Sequence, residues 1–340
     1  MADQQSLGTQ SATESDDSAR QMSIETKRKL AKGLLEGTEK DKEKAVSLLE
    51  ECVASGDSDA MLMLAKCCAL GRGMEHDRER GAKLISQSAE KGNKEAQLLT
   101  KAIDEQKHSK QLSICGGRNN IWNIERAIMV INTTSFSKLY MACNEFSSWD
   151  YSDLGEALAV NTTLTKAVLI DNDMGSGVCE FSKHLKRNTT LTKIDLGSNH
   201  INCEGAASLS DALMANTSIT HLSLSSNFLE VDGIKTLCEM LKKNTTIRTL
   251  GISDNYISDE GAVSVGDVLK LNTTLTKLYL GSNEIGDKGA ESIGKALETN
   301  TSLTDLYLDS NNIGDKGPVS IGKALETNTT LTFLRSEERR

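Results

Sequence analysis

The second half of the chain repeats one pattern of aliphatic residues. In the clearest copy, Leu275 is followed by Leu278, Leu280 and Asn283. Five full copies follow one another with a period of 28 residues, and they begin at Leu191, Ile219, Ile247, Leu275 and Leu303. Weaker copies begin at Phe136 and Leu164, and an eighth begins at Leu331. One such unit cannot bury its apolar face alone, so the units must stack on one another.

Each unit predicts a short strand, a turn and a helix. Side chains alternate along a strand, so the fourth and sixth positions should face the core while the third and fifth face outward. The ninth-position Asn is expected to pair with turn backbone groups. In one such helix, predicted over 287–298, we expect Asp287 to cap the N-terminus. Asn300 should end that helix in the left-handed conformation, a role shared by the Asn of each Asn-x-Ser/Thr triplet.

The outward strand positions predict a binding surface with two zones. Cationic residues recur at the third position and tyrosines at the fifth, and the candidate residues are Lys138, Lys166, Lys193, His221, Lys277, Tyr140, Tyr279 and Tyr307. Exposed tyrosines can anchor a partner protein, and lysines can attract an acidic one. The alternative is a solvated face on which tyrosine merely suits a strand. Both interpretations stay open at this point.

The N-terminal third carries a different repeat. Its small and acidic residues recur after 36 positions, with Gly37, Asp41, Ala45, Gly56 and Ala60 followed by Gly73, Asp77, Gly81, Gly92 and Ala96. Small residues at fixed spacing let helices approach closely, so the pattern predicts helix pairs, with Gly71 and Gly73 in the turn between them. The whole chain then divides into a disordered tail at 1–20, helical repeats at 21–103, a linker and N-terminal cap at 104–131, strand-and-helix repeats at 132–334 and a charged tail at 335–340.

Two families resemble these patterns. Residues 286–290 and 300–308 resemble the ribonuclease-inhibitor type of leucine-rich repeat, which also occurs in NOD-like receptors and in Ran GTPase-activating protein. The resemblance implies an α/β solenoid, a horseshoe with parallel strands on its concave side and helices on its convex side. Residues 60–96 resemble the Sel-one-like helical repeats of adaptor proteins, which implies a small all-α N-terminal domain.

Composition and motifs narrow the possible functions. A net charge of -9 argues against general nucleic-acid binding, and no apolar stretch is long enough to predict a membrane span. The eight cysteines sit mostly among apolar neighbours, which favours reduced thiols and a cytoplasmic location, with the nucleus also possible. The five histidines form no metal-ligand spacing, and the Gly289 to Lys295 segment lacks the Ser or Thr of a phosphate-binding loop. No cofactor or metal is expected.

The sequence therefore predicts a non-enzymatic scaffold that binds a protein partner on the concave face of the repeats. A second partner could bind the helical repeats. The alternative is a GTPase-activating protein that resembles the Ran regulator, since such proteins can act by ordering the machinery of the GTPase itself. Inhibition of a ribonuclease is disfavoured, because the lysine ladder offers little acidic surface to a basic enzyme.

Overall fold

The structure, a computed structural model, describes residues 22–115, 123–144 and 146–336. Contacts divide the chain into two compact units, one comprising residues 1–105 and 132–134 and the other residues 106–131 and 135–340. The predicted disordered tail at 1–20 lies outside the described residues, as do residues 337–340 of the predicted charged tail.

The first unit is built from helices that begin at polar capping residues. Its helices are α1 (Ile24–Leu34), α2 (Glu39–Ala54), α3 (Ser58–Leu70), α4 (Arg78–Glu90) and α5 (Lys94–Gln106). The side chains of Ser23, Thr38, Asp57 and Asp77 each accept a hydrogen bond from a backbone N–H of the first turn that follows. These caps satisfy donors that have no partner within the helix.

Left-handed glycines lie at the ends of two helices and in the turn that the sequence predicts. Gly56 and Gly92 follow α2 and α4 with φ of +86° and +89°. The turn between α3 and α4 contains Gly71 and Gly73, both with φ of +67°. A Cβ atom on Gly73 would lie 2.4 Å from the carbonyl of Lys42. Glycine is therefore required at position 73 for two reasons: the backbone there is left-handed, and the Lys42 carbonyl leaves no space for a Cβ atom.

We expect the substitution Gly73→Ala to lower the free energy of unfolding of the helical unit by about 3 kcal/mol or more, because left-handed strain and a backbone clash add together. The matched control is Gly92→Ala. It introduces similar left-handed strain, but no neighbouring heavy atom lies within 4 Å of the new Cβ. It should cost only about 1 kcal/mol. Denaturant unfolding followed by circular dichroism measures both, and equal losses would contradict the role of the Lys42 contact.

The second unit contains one parallel sheet. Its strands pair in the order in which they occur in the chain, and they are β1 (Gln111–Cys115), β2 (Lys138–Ala142), β3 (Lys166–Ile170), β4 (Lys193–Asp195), β5 (His221–Ser223), β6 (Thr249–Gly251), β7 (Lys277–Tyr279), β8 (Asp305–Tyr307) and β9 (Phe333–Arg335). The helices between them are α6 (Ile124–Thr133), α7 (Ser148–Val160), α8 (Gly177–Leu185), α9 (Cys203–Ala215), α10 (Glu230–Leu241), α11 (Ser258–Leu269), α12 (Asp287–Leu297) and α13 (Lys316–Leu325). Parallel strands joined by helices, stacked in chain order, make this unit an α/β solenoid.

The core lies between the sheet and the helices. Fourth- and sixth-position residues such as Leu250 and Ile252 are buried and line the same small cavity as Leu237 of α10 and Val265 of α11. Third- and fifth-position residues fall on the other side of each strand, as the predicted alternation requires. We call that side of the sheet, away from the helices, the open face.

The ninth-position asparagines connect each unit to its neighbours. The side-chain amide of Asn255, which is fully buried, donates to the carbonyls of Leu224 and Ser253, and its oxygen accepts from the backbone N–H of Leu229. Asn283 bonds in the same way to Ile252 and Asn255. The predicted pairing with turn backbone groups is confirmed, and it extends across units as a ladder.

The asparagines at the helix ends form a second ladder, with a different geometry from the one predicted. The left-handed conformation is wrong, since Asn161 and Asn216 have φ of -72° and -78°. In Asn300, the side-chain oxygen accepts from the N–H groups of Ser302 and Leu303, while the amide donates to the Leu269 carbonyl of the preceding unit. The side chain itself turns the chain into the strand, so no left-handed residue is needed there.

The predicted capping role of Asp287 is also wrong. Helix α12 begins at Asp287, after Gly286, and the Asp287 carboxylate instead accepts a hydrogen bond of 2.7 Å from the N–H of Gly317 in the next unit. Asp259 binds Gly286 and Gly289 in the same manner. Each of these carboxylates therefore stabilises the start of the helix in the next copy of the repeat. Such a contact between copies cannot be predicted from the sequence of one copy alone.

Replacing Asn255 with Ala should lower the free energy of unfolding of the second compact unit by about 3 kcal/mol, because several buried backbone groups lose their partner. Asn312→Ala is the matched control, since this asparagine also lies in a turn after a strand but is exposed. We expect a change below about 0.5 kcal/mol for the control. Thermal and denaturant unfolding measure both variants, and similar effects would show that the ladder does not stabilise the fold.

Candidate functional site

The open face aligns the predicted site residues in two columns. Direct strand partners place the third-position residues side by side in the order Lys138, Lys166, Lys193, His221, Thr249, Lys277, Asp305 and Phe333. The fifth-position residues follow one another as Tyr140, Val168, Asp195, Ser223, Gly251, Tyr279, Tyr307 and Arg335. Because parallel strands lie about 4.8 Å apart, each column is a nearly continuous row of side chains.

Three lysines form the cationic end of the first column. Lys138, Lys166 and Lys193 occupy adjacent strands and are all exposed. None of the three forms an ion pair with another residue in the described ranges. Like charges at this spacing repel one another, so an anionic group placed over them would relieve the repulsion.

Lys277 belongs to the same column but differs in its electrostatics. Its ammonium group lies 3.2 Å from the Asp305 carboxylate on the next strand. This hydrogen bond raises the pKa of Lys277, and hydrogen bonds from Thr304 and Lys277 lower the pKa of the Asp305 carboxyl. The ion pair largely neutralises Lys277, which therefore does not extend the charge of the other three lysines.

The aromatic end of the open face is a ladder of contacting rings. The rings of Tyr279 and Tyr307 lie 4.3 Å apart at an interplanar angle of 17°, and Tyr307 also contacts Phe333 at 4.9 Å. Phe333 was absent from the sequence-predicted site, although extending the repeat register into the unit that begins at Leu331 would have found it. Tyr140 is not part of this ladder, because β2 and β7 are five strands, or about 24 Å, apart.

A groove of about 340 Å³ lies between the two ends of the open face. Ser223 and Gly251 occupy the fifth position in the middle of the sheet, where the flanking units carry larger side chains. Small residues there leave a depression, whose remaining lining includes Lys166, Lys193, Asp195, His221, Ser225, Thr249, Ser253 and Tyr279. The serines and Thr249 are not among the sequence-predicted site residues, because their contribution is the space they leave.

His221 sits half-buried at the edge of this groove. Its Nδ1 lies 2.8 Å from the Thr220 hydroxyl. Burial lowers the pKa of His221, and the nearby charges of Lys193 and Lys277 lower it further. The neutral imidazole is thus favoured, so His221 contributes hydrogen bonding rather than charge at neutral pH.

The chemistry open to the described residues also depends on their metal-ligand groups, apolar helices and thiols. Across residues 22–115, 123–144 and 146–336, no group of three His, Cys, Asp or Glu side chains is arranged to hold a metal ion. Within those ranges, no helix combines the length and the apolar character needed to cross a membrane. Burial raises the pKa of the Cys67 and Cys68 thiols to about 11 and that of Cys238 to about 12, so these three stay protonated as core residues.

A sequence model of the family described as leucine-rich repeat matches five segments of the second unit. The matched segments are 187–210, 215–238, 243–266, 271–294 and 299–322. Each begins before a strand and ends within the helix that follows it. Proteins built from such repeats generally bind other proteins. No curated protein sequence matches the chain.

Solved structures are similar to parts of the chain. Actin-binding site 2 of leiomodin-1 is 27% identical over 41% of this chain and 77% of its own, with a TM-score of 0.34. The C-terminal domain of Caenorhabditis elegans tropomodulin is 14% identical over 54% and 93%, with a TM-score of 0.34. The Toll–Spatzle complex of Drosophila is 12% identical over 63% and 25%, with a TM-score of 0.37.

The shifted pKa of His221 predicts a pH-dependent contribution to stability. Because the folded state lowers this pKa, the unfolded chain binds the proton first as the pH falls below about 6.5. The contribution should therefore be present above that pH and be lost on acidification. We expect His221→Gln to lose less thermal stability than the unsubstituted protein between neutral and mildly acidic pH. Calorimetry measures the difference, and His108→Gln, at an exposed site, is the control.

Proposed function

We propose that this leucine-rich-repeat protein is a non-enzymatic scaffold that binds a partner protein on the open face of its sheet. The observation that carries the proposal is the ladder of contacting aromatic rings, Tyr279, Tyr307 and Phe333, beside a groove. Rigid aromatic side chains on an exposed surface bury a large area on binding while losing little conformational entropy. They are therefore effective anchors for a partner.

In this proposal the second of the two compact units, which contains the repeats, is a horseshoe of the ribonuclease-inhibitor type. Neighbouring strands are separated by about 4.8 Å, whereas packed helices need about 8 to 10 Å between their axes. A sheet lined with one helix per strand relieves this mismatch by curving, with the strands on the inner side. The long repeat, with helices such as α9 and α11 of 13 and 12 residues, supports this type. The open face would then be the concave surface.

The two ends of the open face suit different parts of one partner. An acidic segment would pair with Lys138, Lys166 and Lys193, while apolar or aromatic side chains would pack on the tyrosine ladder. The central groove is wide enough to accept a few side chains. This arrangement fits a protein surface of mixed character, and it does not fit the uniform negative charge of a nucleic acid.

The first unit supports a second role for the chain. Its helix pairs, with left-handed glycines at equivalent positions, fit the Sel-one-like repeats of adaptor proteins. We infer that it holds a second partner, so that the protein links two others. Thiols packed in the core at Cys67, Cys68 and Cys238 suit a reducing compartment, and we place the protein in the cytoplasm.

A photo-crosslinking amino acid at Ser223, inside the groove, should capture a stoichiometric partner from native cells. The matched control carries the same group at Val263, which is exposed on helix α11 at the opposite side of the repeats. The captured protein is identified by mass spectrometry. Capture at Val263 but never at Ser223 would overturn the assignment of the open face.

The double substitution Tyr279→Ala and Tyr307→Ala should then weaken binding of the identified partner by more than about 1 kcal/mol. Since both side chains lie on the open face and outside the core, the thermal unfolding of the variant should change little. Isothermal titration calorimetry with purified components measures the affinity. Replacing the exposed Leu271 with Ala, away from the open face, is the control. Unchanged affinity in the tyrosine variant would remove the ladder from the site.

A further inference from the structure

A second row of aromatic side chains lies in the turns that follow the strands. His200, Phe228 and Tyr256 each come directly after a ninth-position asparagine in consecutive units. Their rings stack, with centroids 5.4 Å apart between His200 and Phe228 and 6.3 Å apart between Phe228 and Tyr256. We call these three residues the turn stripe. They lie at the tenth position of each unit, outside the two columns of the open face.

The turn stripe is exposed to solvent. Phe228 and Tyr256 have 43% and 50% of their surface accessible. Aromatic residues that pack on each other at the surface, rather than in the core, present a contiguous apolar patch. His200 ends the row on one side, where its Nδ1 lies 2.7 Å from the Asp173 carboxylate. On the other side, no aromatic ring of the described residues covers the second face of Tyr256.

The turns around the stripe carry mainly negative charge. Segments 170–177, 197–204, 225–232, 253–260 and 281–288, which are positions seven to fourteen of five successive copies, together contain ten Asp or Glu residues and one basic residue, Lys288. Acidic residues in the first turn of a helix stabilise its dipole, which accounts for part of this bias. Other acidic residues precede the helices, and these are Asp171, Asp173, Asp254 and Glu284. The helix dipole does not explain their charge.

Two of these carboxylates flank the stripe without a cationic partner. Asp254 lies two residues before Tyr256, and Glu284 occupies the tenth position of the next unit. Both are exposed, and neither forms an ion pair with a residue of the described ranges. A cation stacked on the free face of Tyr256 would lie beside Glu284. The surface is therefore aromatic at its centre and anionic at its rim.

We propose that the turn stripe is a docking site for an arginine-rich segment of a partner protein. A guanidinium group is planar and weakly hydrated, so it stacks on aromatic rings and pairs with carboxylates at the same time. The stripe and its rim offer both interactions, and their charge is opposite to that of Lys138, Lys166 and Lys193 on the open face. This site stands independently of the open-face proposal, because it uses different residues and the opposite charge.

Fluorescence anisotropy of labelled peptides that alternate glycine with arginine, lysine or glutamate tests the proposal on the full chain. We expect the arginine peptide to bind at least about threefold more tightly than the lysine peptide, because only the guanidinium stacks well. The glutamate peptide should not compete with the arginine peptide, because the acidic rim of the stripe repels it and only the lysines of the open face could attract it. Equal affinity for arginine and lysine would overturn the proposal, since it would indicate attraction to the net negative charge alone.

Substitution of the stripe locates the binding. The pair Phe228→Ala and Tyr256→Asn should weaken the arginine peptide about tenfold without changing net charge. Asparagine suits position 256 because the backbone there is left-handed, with φ of +55°. The pair Tyr279→Ala and Tyr307→Ala is the control and should leave the affinity unchanged. An effect of the open-face pair equal to that of the stripe pair would contradict the assignment.

Removal of charge gives a second test that does not depend on the aromatic residues. The pair Asp254→Asn and Glu284→Gln should weaken the arginine peptide at least about threefold. Its matched control, Glu298→Gln with Glu326→Gln, removes the same charge at exposed positions at the ends of α12 and α13. Circular dichroism verifies that every variant is folded. Equal effects of the two pairs would show that the rim of the stripe is not the site.

Discussion

The whole stack of repeats depends on the hydrogen bonds of the buried ninth-position asparagines. Each side chain has two donors and an acceptor, and it binds backbone groups of its own turn and of the adjacent units. A hydrophobic residue there would leave those groups unpaired in the core. Because the same amide recurs in seven successive copies, from Asn144 to Asn311, it sets how far each copy is shifted against the next. The alignment of all outward side chains follows from that shift.

Such stacking turns single positions into continuous surfaces. Core positions are restricted to aliphatic residues, whereas the third, fifth and tenth positions are free to vary without loss of packing. The chain uses this freedom to separate charge: Lys138, Lys166 and Lys193 share one column, while Asp254 and Glu284 lie in the turns. The ion pair between Lys277 and Asp305 and the small residues of the groove then divide the open face into distinct zones.

Much of this arrangement was predictable because the repeat supplies its own register. Aligning the aliphatic positions places the outward residues correctly on β2 to β8, including the neighbouring Tyr279 and Tyr307. The prediction failed where one unit bonds to the next. The sequence predicts local capping roles for Asn300 and Asp287, yet both bind backbone of an adjacent unit. A pattern read within one unit does not contain such contacts.

The sequence by itself determined the repeat, the alternation of buried and exposed positions, and the identity of the side chains in each column. Periodic burial of apolar groups is enough for this, because it follows from strand and helix geometry. Only the tertiary structure decided which neighbours meet: the pairing of Lys277 with Asp305, the addition of Phe333 to the ladder, and the stacking of Phe228 on Tyr256. These contacts depend on distances between units, which arise when the units stack.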